Sequence, residues 1–200
     1  MALGKQAKTL NPKQIEVALA YLGGTRYALR NQVMLLLSCK AGLRAKEIAS
    51  LRWSMVVDAQ GQLEHCINLT NNASKGSDGG RVIPLNKELR QQLLRLFELV
   101  NVGTRFNIHE AHVVTTERSN CTSAQSVVNQ FASWYSDLGF VGCSSHSGRR
   151  TFITNAARKI STVGGSVRDV QLMAGHSNLN TTQRYIEMDE DCQRKVVELV

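Results

Sequence analysis

No stretch of this 200-residue chain approaches 18 consecutive apolar residues, and its first ten positions carry two lysines without an apolar run. Neither a membrane-spanning helix nor a secretory leader is therefore expected. The five cysteines, at 39, 66, 121, 143 and 192, are odd in number, scattered and never spaced as CxxC. They read as free thiols of a protein in the reducing cytoplasm. His109 and His112 stand in HEAH rather than HExxH and have no evident third ligand, so neither a metal nor another cofactor is expected. Internal repeats, low-complexity tracts and charged tails are also missing.

What is present fits one globular unit spanning residues 1–200. Apolar residues make up 42% of the chain, enough for an ordinary core. Lys and Arg number 24 against 16 Asp and Glu, a formal net charge of +8. Such a balance favours a polyanionic partner, bound with release of counterions and therefore weakened by salt.

Punctuation along the chain predicts a mainly helical α+β domain with a small three-stranded antiparallel sheet on one side. Asn11-Pro12 pairs a capping side chain with a proline suited to a first helical position, and the apolar pattern that follows runs to Gly23-Gly24. A second helix runs from about Tyr27 to Lys40 and stops at Gly42, with one or two further turns over Ala45 to Leu51. Met55 to Val57, Leu63 to Thr70 and Arg81 to Leu85 read as the three strands, with Lys75 near the tip of the second hairpin. Pro84 cannot donate to a ladder, which puts the last strand at an edge or ends it there. Helices are predicted from Asn86 to about Val100, Ser123 to Leu138, Ser147 to Lys159 and Val167 to Ala174, and from Thr181 onward. Residues 101–121 show little periodicity.

The chemistry-bearing residues concentrate in the last quarter. His146-Ser147-Gly148-Arg149 precedes Ala174-Gly175-His176, Thr181-Thr182 and Tyr185, with Arg44 and Lys75 upstream. Breaking a phosphodiester requires charge stabilisation on two oxygens, an activated attacking oxygen and a proton for the departing one. Arginine suits the first task because its planar guanidinium stays charged and binds two oxygens at once. A tyrosine suits the second where the enzyme must hold on to its product, given help in ionising a phenol of pKa about 10. A lysine on a hairpin suits the third. Arg44 and Arg149, Tyr185, and Lys75 are the respective candidates. His146 and Arg149, three apart at a helix start, share a face. Taken singly, each of these residues has an ordinary structural explanation; their joint order and spacing give them weight.

That combination resembles the tyrosine recombinase, or phage integrase, family. The resemblance rests on Ala41-Gly42-Leu43-Arg44-Ala45-Lys46-Glu47-Ile48, the Ser74-Lys75-Gly76 hairpin, His146-Ser147-Gly148-Arg149-Arg150-Thr151-Phe152, and Ala174-Gly175-His176 followed nine positions later (185 − 176) by Tyr185. It implies the family's catalytic-domain fold and a site-specific recombinase, acting by integration, excision or inversion. Tyr185 would attack the scissile phosphate to give a 3′-phosphotyrosyl bond, with Arg44 and Arg149 on the non-bridging oxygens. Lys75 would be the general acid, His146 would assist proton transfer, His176 would hydrogen-bond the phosphate, and Glu47 would orient a neighbouring cation.

The same resemblance implies double-stranded DNA as partner and a homotetramer on paired sites. Family members commonly carry an N-terminal clamp domain, and with only about ten residues before the first helix none is expected here. Arg150 and Glu187 stand where the family often has histidine. The competing readings are a type IB topoisomerase and a catalytically silent DNA-binding regulator.

Overall fold

The computed structural model describes residues 6–73, 80–101, 107–185 and 197–198. Helix α1 (Pro12–Gly23) starts on a capping box in which Asn11 Oδ1 accepts from Gln14 N–H at 2.8 Å and Gln14 Oε1 accepts from Asn11 N–H at 2.9 Å. Helix α2 (Ala28–Ala41) is the centre of the molecule. Val33 to Leu37 are completely buried in succession, because α1, α4 and α6 surround the helix. Gly42 ends it in the left-handed conformation (φ 66°), and Leu43 N–H closes back onto the Leu37 carbonyl at 3.1 Å. The Gly42 N–H donates to the same carbonyl, and a Cβ at Gly42 would run into the Phe152 ring. The chain therefore turns directly into the short α3 (Ala45–Ser50) with Arg44 at the junction.

Among the described residues the sheet has two strands where the sequence predicted three. Strands β1 (Cys66–Leu69) and β2 (Arg81–Pro84) pair antiparallel, with Ile67 opposite Ile83 and both buried. Pro84 closes the second strand, as its missing donor requires. The segment predicted as a first strand is instead a 3-10 turn, Trp53–Met55, with one isolated bridge between Val57 and Leu63. Burial explains the difference. Met55, Val56 and Val57 are all enclosed, which removes the in-out alternation of a half-buried strand, and the N–H groups of Val56 and Val57 both donate to the Trp53 carbonyl. The Trp53 ring is held against Phe97 at a centroid separation of 5.0 Å.

Helix α4 (Lys87–Val100) is capped by Asn86 and buries Leu89, Leu93, Leu96 and Phe97 on one face. Helix α5 (Ala124–Asp137), capped by Ser123, buries Val127, Phe131, Trp134 and Tyr135. Residues 107–121 contain no helix, and their one ladder contact is the bridge of His112 with Arg52. Helix α6 (Ser147–Lys159) packs along α2; α7 (Val167–Ala174) stops at Gly175 (φ 61°), and α8 (Leu179–Gln183) is capped by Asn178. The last of these starts two residues earlier than the predicted Thr181, and the continuation over 186–196 lies outside the described residues. A second small core gathers Ile153, Val170 and Ala174, with Phe152, Met173 and Tyr185 packed around them. Among the described residues no helix is long and apolar enough to cross a membrane.

The α2–α6 contact depends on Gly148. A Cβ there would run into Ser38 and lie 2.9 Å from Cys39 Sγ, both on a fully packed helix. Overpacking at this crossing outweighs the roughly 1 kcal/mol that alanine offers over glycine within a helix. Gly148→Ala is expected to lower stability by about 1–3 kcal/mol, read as a reduced midpoint in urea denaturation.

Candidate active site

Four of the six residues singled out in the sequence meet where the C-terminal ends of α2 and α7 face each other. Arg149, on the first turns of α6, is 4% exposed. Its Nη1 donates to the Gly42 carbonyl at 2.5 Å, and its Nη2 donates to the Ala174 carbonyl at 2.6 Å. Both acceptors lie at helix C-termini, whose unsatisfied carbonyls carry partial negative charge. The same Nη2 stands 3.0 Å from His176 Nε2. Burial, followed by repulsion from Arg44, lowers the Arg149 pKa to about 10, which still leaves the group charged at neutral pH.

Arg44 sits at the N-cap of α3 and reaches the other way around the same junction. Its Nη2 donates to the Gly175 carbonyl at 3.3 Å and its Nη1 to Glu47 Oε1 at 2.9 Å. Glu47 has no exposed surface and accepts four N–H bonds. Oε1 takes Arg44 Nη1 and Arg81 Nη1, each at 2.9 Å; Oε2 takes the Arg44 backbone N–H at 2.8 Å and Arg81 Nη2 at 3.0 Å. Burial pushes the carboxyl's pKa up, but the Arg81 and Arg44 bonds and charges outweigh it and hold the pKa below the usual glutamate value.

Arg81 is the participant that sequence reasoning did not assign. It also donates from Nε to the Met173 carbonyl at 2.7 Å, joining β2 to the end of α7. Strand parity carried the signal. Arg81 shares its sheet face with buried Ile83, and an inward-facing arginine demands a buried acceptor.

His176 directly follows the left-handed Gly175 and is clasped by Gln171, which accepts from the His176 N–H (3.1 Å) and donates to its carbonyl (2.8 Å). Its Nδ1 lies 2.9 Å from Thr182 Oγ1. Desolvation first, then the charges of Arg149, Arg44 and Arg81, lower its pKa to about 4. The Tyr185 ring stacks on this imidazole with centroids 5.6 Å apart and planes 18° from parallel. The Tyr185 backbone is held by Thr182 and Thr154: its N–H donates to the Thr182 carbonyl, and its carbonyl accepts from Thr154 Oγ1.

His146, the exposed N-cap residue of α6, lines a cavity of about 430 Å³ together with Arg149, Arg150, Arg184, Tyr185 and Gln6. Gln6 comes from the N-terminal segment, which crosses α6 through a Leu10 N–H bond to Thr151 Oγ1 at 2.7 Å, and its side chain accepts from Arg150. Lys75 lies outside the described residues; so does Glu187. On either side of residues 74–79, Gly80 N–H donates to Asn71 Oδ1 at 2.7 Å.

A larger cleft of about 740 Å³ lies near the start of α2, between Tyr27, Trp53, Leu96 and His112, and contains none of the site candidates. His112 lines this cleft and His109 does not; among the described residues no group of three or more potential metal ligands occurs.

The cluster sets three guanidinium groups and a neutral imidazole against one carboxylate, with a phenol at the edge. This surplus of positive charge with oriented N–H donors suits an anion carrying several oxygens. The lowered His176 pKa links the site to stability. Between pH 6.5 and about 4 the unfolded chain holds a proton on this residue that the folded chain does not, so stability falls as pH falls through that window. Thermal midpoints measured from pH 7 to pH 4 are expected to decline, with a shallower slope in His176→Gln.

The phage integrase family model matches residues 8–191. The tyrosine recombinase XerC of Shewanella sp. is 26% identical over 191 residues, covering 92% of this chain and 58% of its own length. XerA of Pyrococcus horikoshii is 27% identical over 172 residues, covering 85% of this chain and 54% of its own. The chain thus spans little more than half the length of these curated relatives. Among solved structures, the Tn1549 transposon integrase in complex with a circular intermediate DNA superposes with a TM-score of 0.74 at 18% identity, over 99% of this chain and 67% of the other. The XerA recombinase crystal structure gives 0.72 at 20% identity, over 96% and 64%. The helical arrangement with its small sheet is that of these recombinases, and a match over nearly the whole chain places this protein in the phage integrase family.

Proposed function

We propose that this protein is a site-specific recombinase that breaks and rejoins double-stranded DNA through a 3′-phosphotyrosyl intermediate, using residues of one catalytic domain. The observation that carries the reading is the stack of Tyr185 on His176, whose other ring edge touches buried Arg149. It brings a nucleophile, a hydrogen-bonding imidazole and a cation side by side. Family membership and relatives named XerC and XerA support the same reading.

In this mechanism Tyr185 Oη attacks the scissile phosphorus and the 5′-oxygen departs. Arg44 and Arg149 neutralise the charge that grows on the non-bridging oxygens, and their bonds to helix-end carbonyls hold both guanidinium groups at the site. His146 at the cavity rim receives the phenolic proton, Lys75 protonates the leaving 5′-oxygen, and His176 hydrogen-bonds the phosphate. The tyrosyl ester retains the energy of the broken bond, so neither ATP nor a cofactor is consumed. Attack by the 5′-hydroxyl of another strand completes the exchange. The +8 charge draws the chain to DNA and makes binding salt-sensitive. The working assembly is a homotetramer holding two duplexes in the cytoplasm.

A library of nicked suicide duplexes tests the reaction. Covalent protein–DNA adducts together with joined products identify a recombinase; adducts without pairing of two sites identify a topoisomerase, and neither identifies a regulator. Tyr185→Phe is expected to abolish the adduct while leaving DNA binding within a few fold, measured by gel shift. An adduct formed by that variant refutes the assignment of the nucleophile. For the assembly, the candidate contact between subunits is the C-terminal segment, in which Asp189-Glu190-Asp191 is followed by the apolar Val196, Val197 and Val200; Val197 is 70% exposed. Deleting residues 191–200 is expected to reduce multimers on DNA; unchanged multimers and unchanged recombination exclude the tail as that contact.

A further inference from the structure

The hydrogen bonds around His176 determine which of its nitrogens carries the proton. A guanidinium has donors only, so the 3.0 Å contact from Arg149 Nη2 requires a lone pair on His176 Nε2. A neutral imidazole in that state is protonated at Nδ1, and Nδ1–H donates to Thr182 Oγ1 at 2.9 Å. Thr182 has no exposed surface. This tautomer offers nothing to a phosphate, whose oxygens only accept. To hydrogen-bond a phosphate, His176 must carry its proton on Nε2, and Nδ1 must then accept from a neighbour.

A threonine hydroxyl can play both parts, because it accepts through lone pairs and donates through one rotatable O–H. We propose that Thr182 is a positioning residue that fixes the ring plane of His176 and lets it change tautomer when a phosphate enters the site. In the free protein Thr182 accepts from Nδ1–H. With an oxyanion bound, Arg149 turns its Nη2 to the oxyanion, the Thr182 hydroxyl rotates to donate to Nδ1, and Nε2–H points at the anion. One proton leaves Nδ1 and one arrives at Nε2, carried by solvent at the partly exposed ring, so the charge of the imidazole is unchanged. Only hydrogens and the arginine head need to move. This inference rests on the phosphodiester-cleaving reading of the site.

The test is ¹⁵N-histidine NMR of the full chain, with orthovanadate as a phosphate-like probe and the His176 signals identified by their loss in His176→Gln. The free protein is expected to show the Nδ1–H form, and saturation with orthovanadate is expected to convert it to Nε2–H. Thr182→Val keeps the shape but neither donates nor accepts, so it is expected to block the conversion and weaken orthovanadate binding about tenfold, the contribution of one hydrogen bond. Thr182→Ser restores the hydroxyl and is expected to recover both; it also separates a lost hydrogen bond from a packing defect. An Nε2–H form in the free protein, no conversion in the wild type, or normal conversion in Thr182→Val overturns the inference. Its failure is distinguishable from failure of the functional reading. Normal tautomer behaviour without any covalent DNA adduct rejects the reaction, whereas a normal adduct rate in Thr182→Val rejects the role of Thr182.

Discussion

Two oxygens of a completely buried carboxylate, that of Glu47, receive four N–H bonds from Arg44 and Arg81. A carboxylate so enclosed is tolerable only because every bond is made, and losing one partner of such a pair typically costs about 3–5 kcal/mol. The surrounding structure is arranged to keep it whole. Arg44 lies at the turn from α2 into α3, Glu47 on α3 itself and Arg81 at the start of β2. Through the Met173 and Gly175 carbonyls the two arginines also tie the end of α7 to this centre. One carboxylate thereby joins the sheet, the central helix junction and the C-terminal helices.

Around that carboxylate the positive charge is in excess, and its placement makes the surplus tolerable. Arg149 is nearly inaccessible, yet it points into the carbonyl ends of α2 and α7, where helix dipoles favour cations. Burial first, and repulsion from the neighbouring cations second, lower the pKa values of both Arg149 and His176. Such an excess of oriented N–H donors favours an oxyanion among them.

Helix boundaries were largely legible in the sequence because local chemistry produces them. Asn11-Pro12, Asn86 and Ser123 supply starts, and Gly42 and Gly175 supply stops, each through a cap closed within a few residues. The sheet was less legible. Met55 to Val57 has β-forming residues, but enclosure on all sides and the anchoring of Trp53 convert it to a tight turn, so a nonlocal cause overrode a local preference. In the site, the structure brings Arg44, Arg149, His176 and Tyr185 together, with His146 on the wall of the adjoining cavity. Arg81 was not assigned and Thr181-Thr182 was noted without a role, since the bonds of Arg81 to Met173 and of Thr182 to His176 depend on how separate elements meet.

By itself the sequence determined where helices begin and end, the surplus of positive charge and the ordered set of arginines, histidines and tyrosine. Those features depend on neighbours within a turn or two, or on residue identity alone. The tertiary structure decided which groups face one another. Arg149 meets a carbonyl 107 residues away, and Arg44 meets one 131 residues away. Such pairings follow from how α2, α6 and α7 pack, and that packing is selected by filling the whole core at once rather than by any local run of residues.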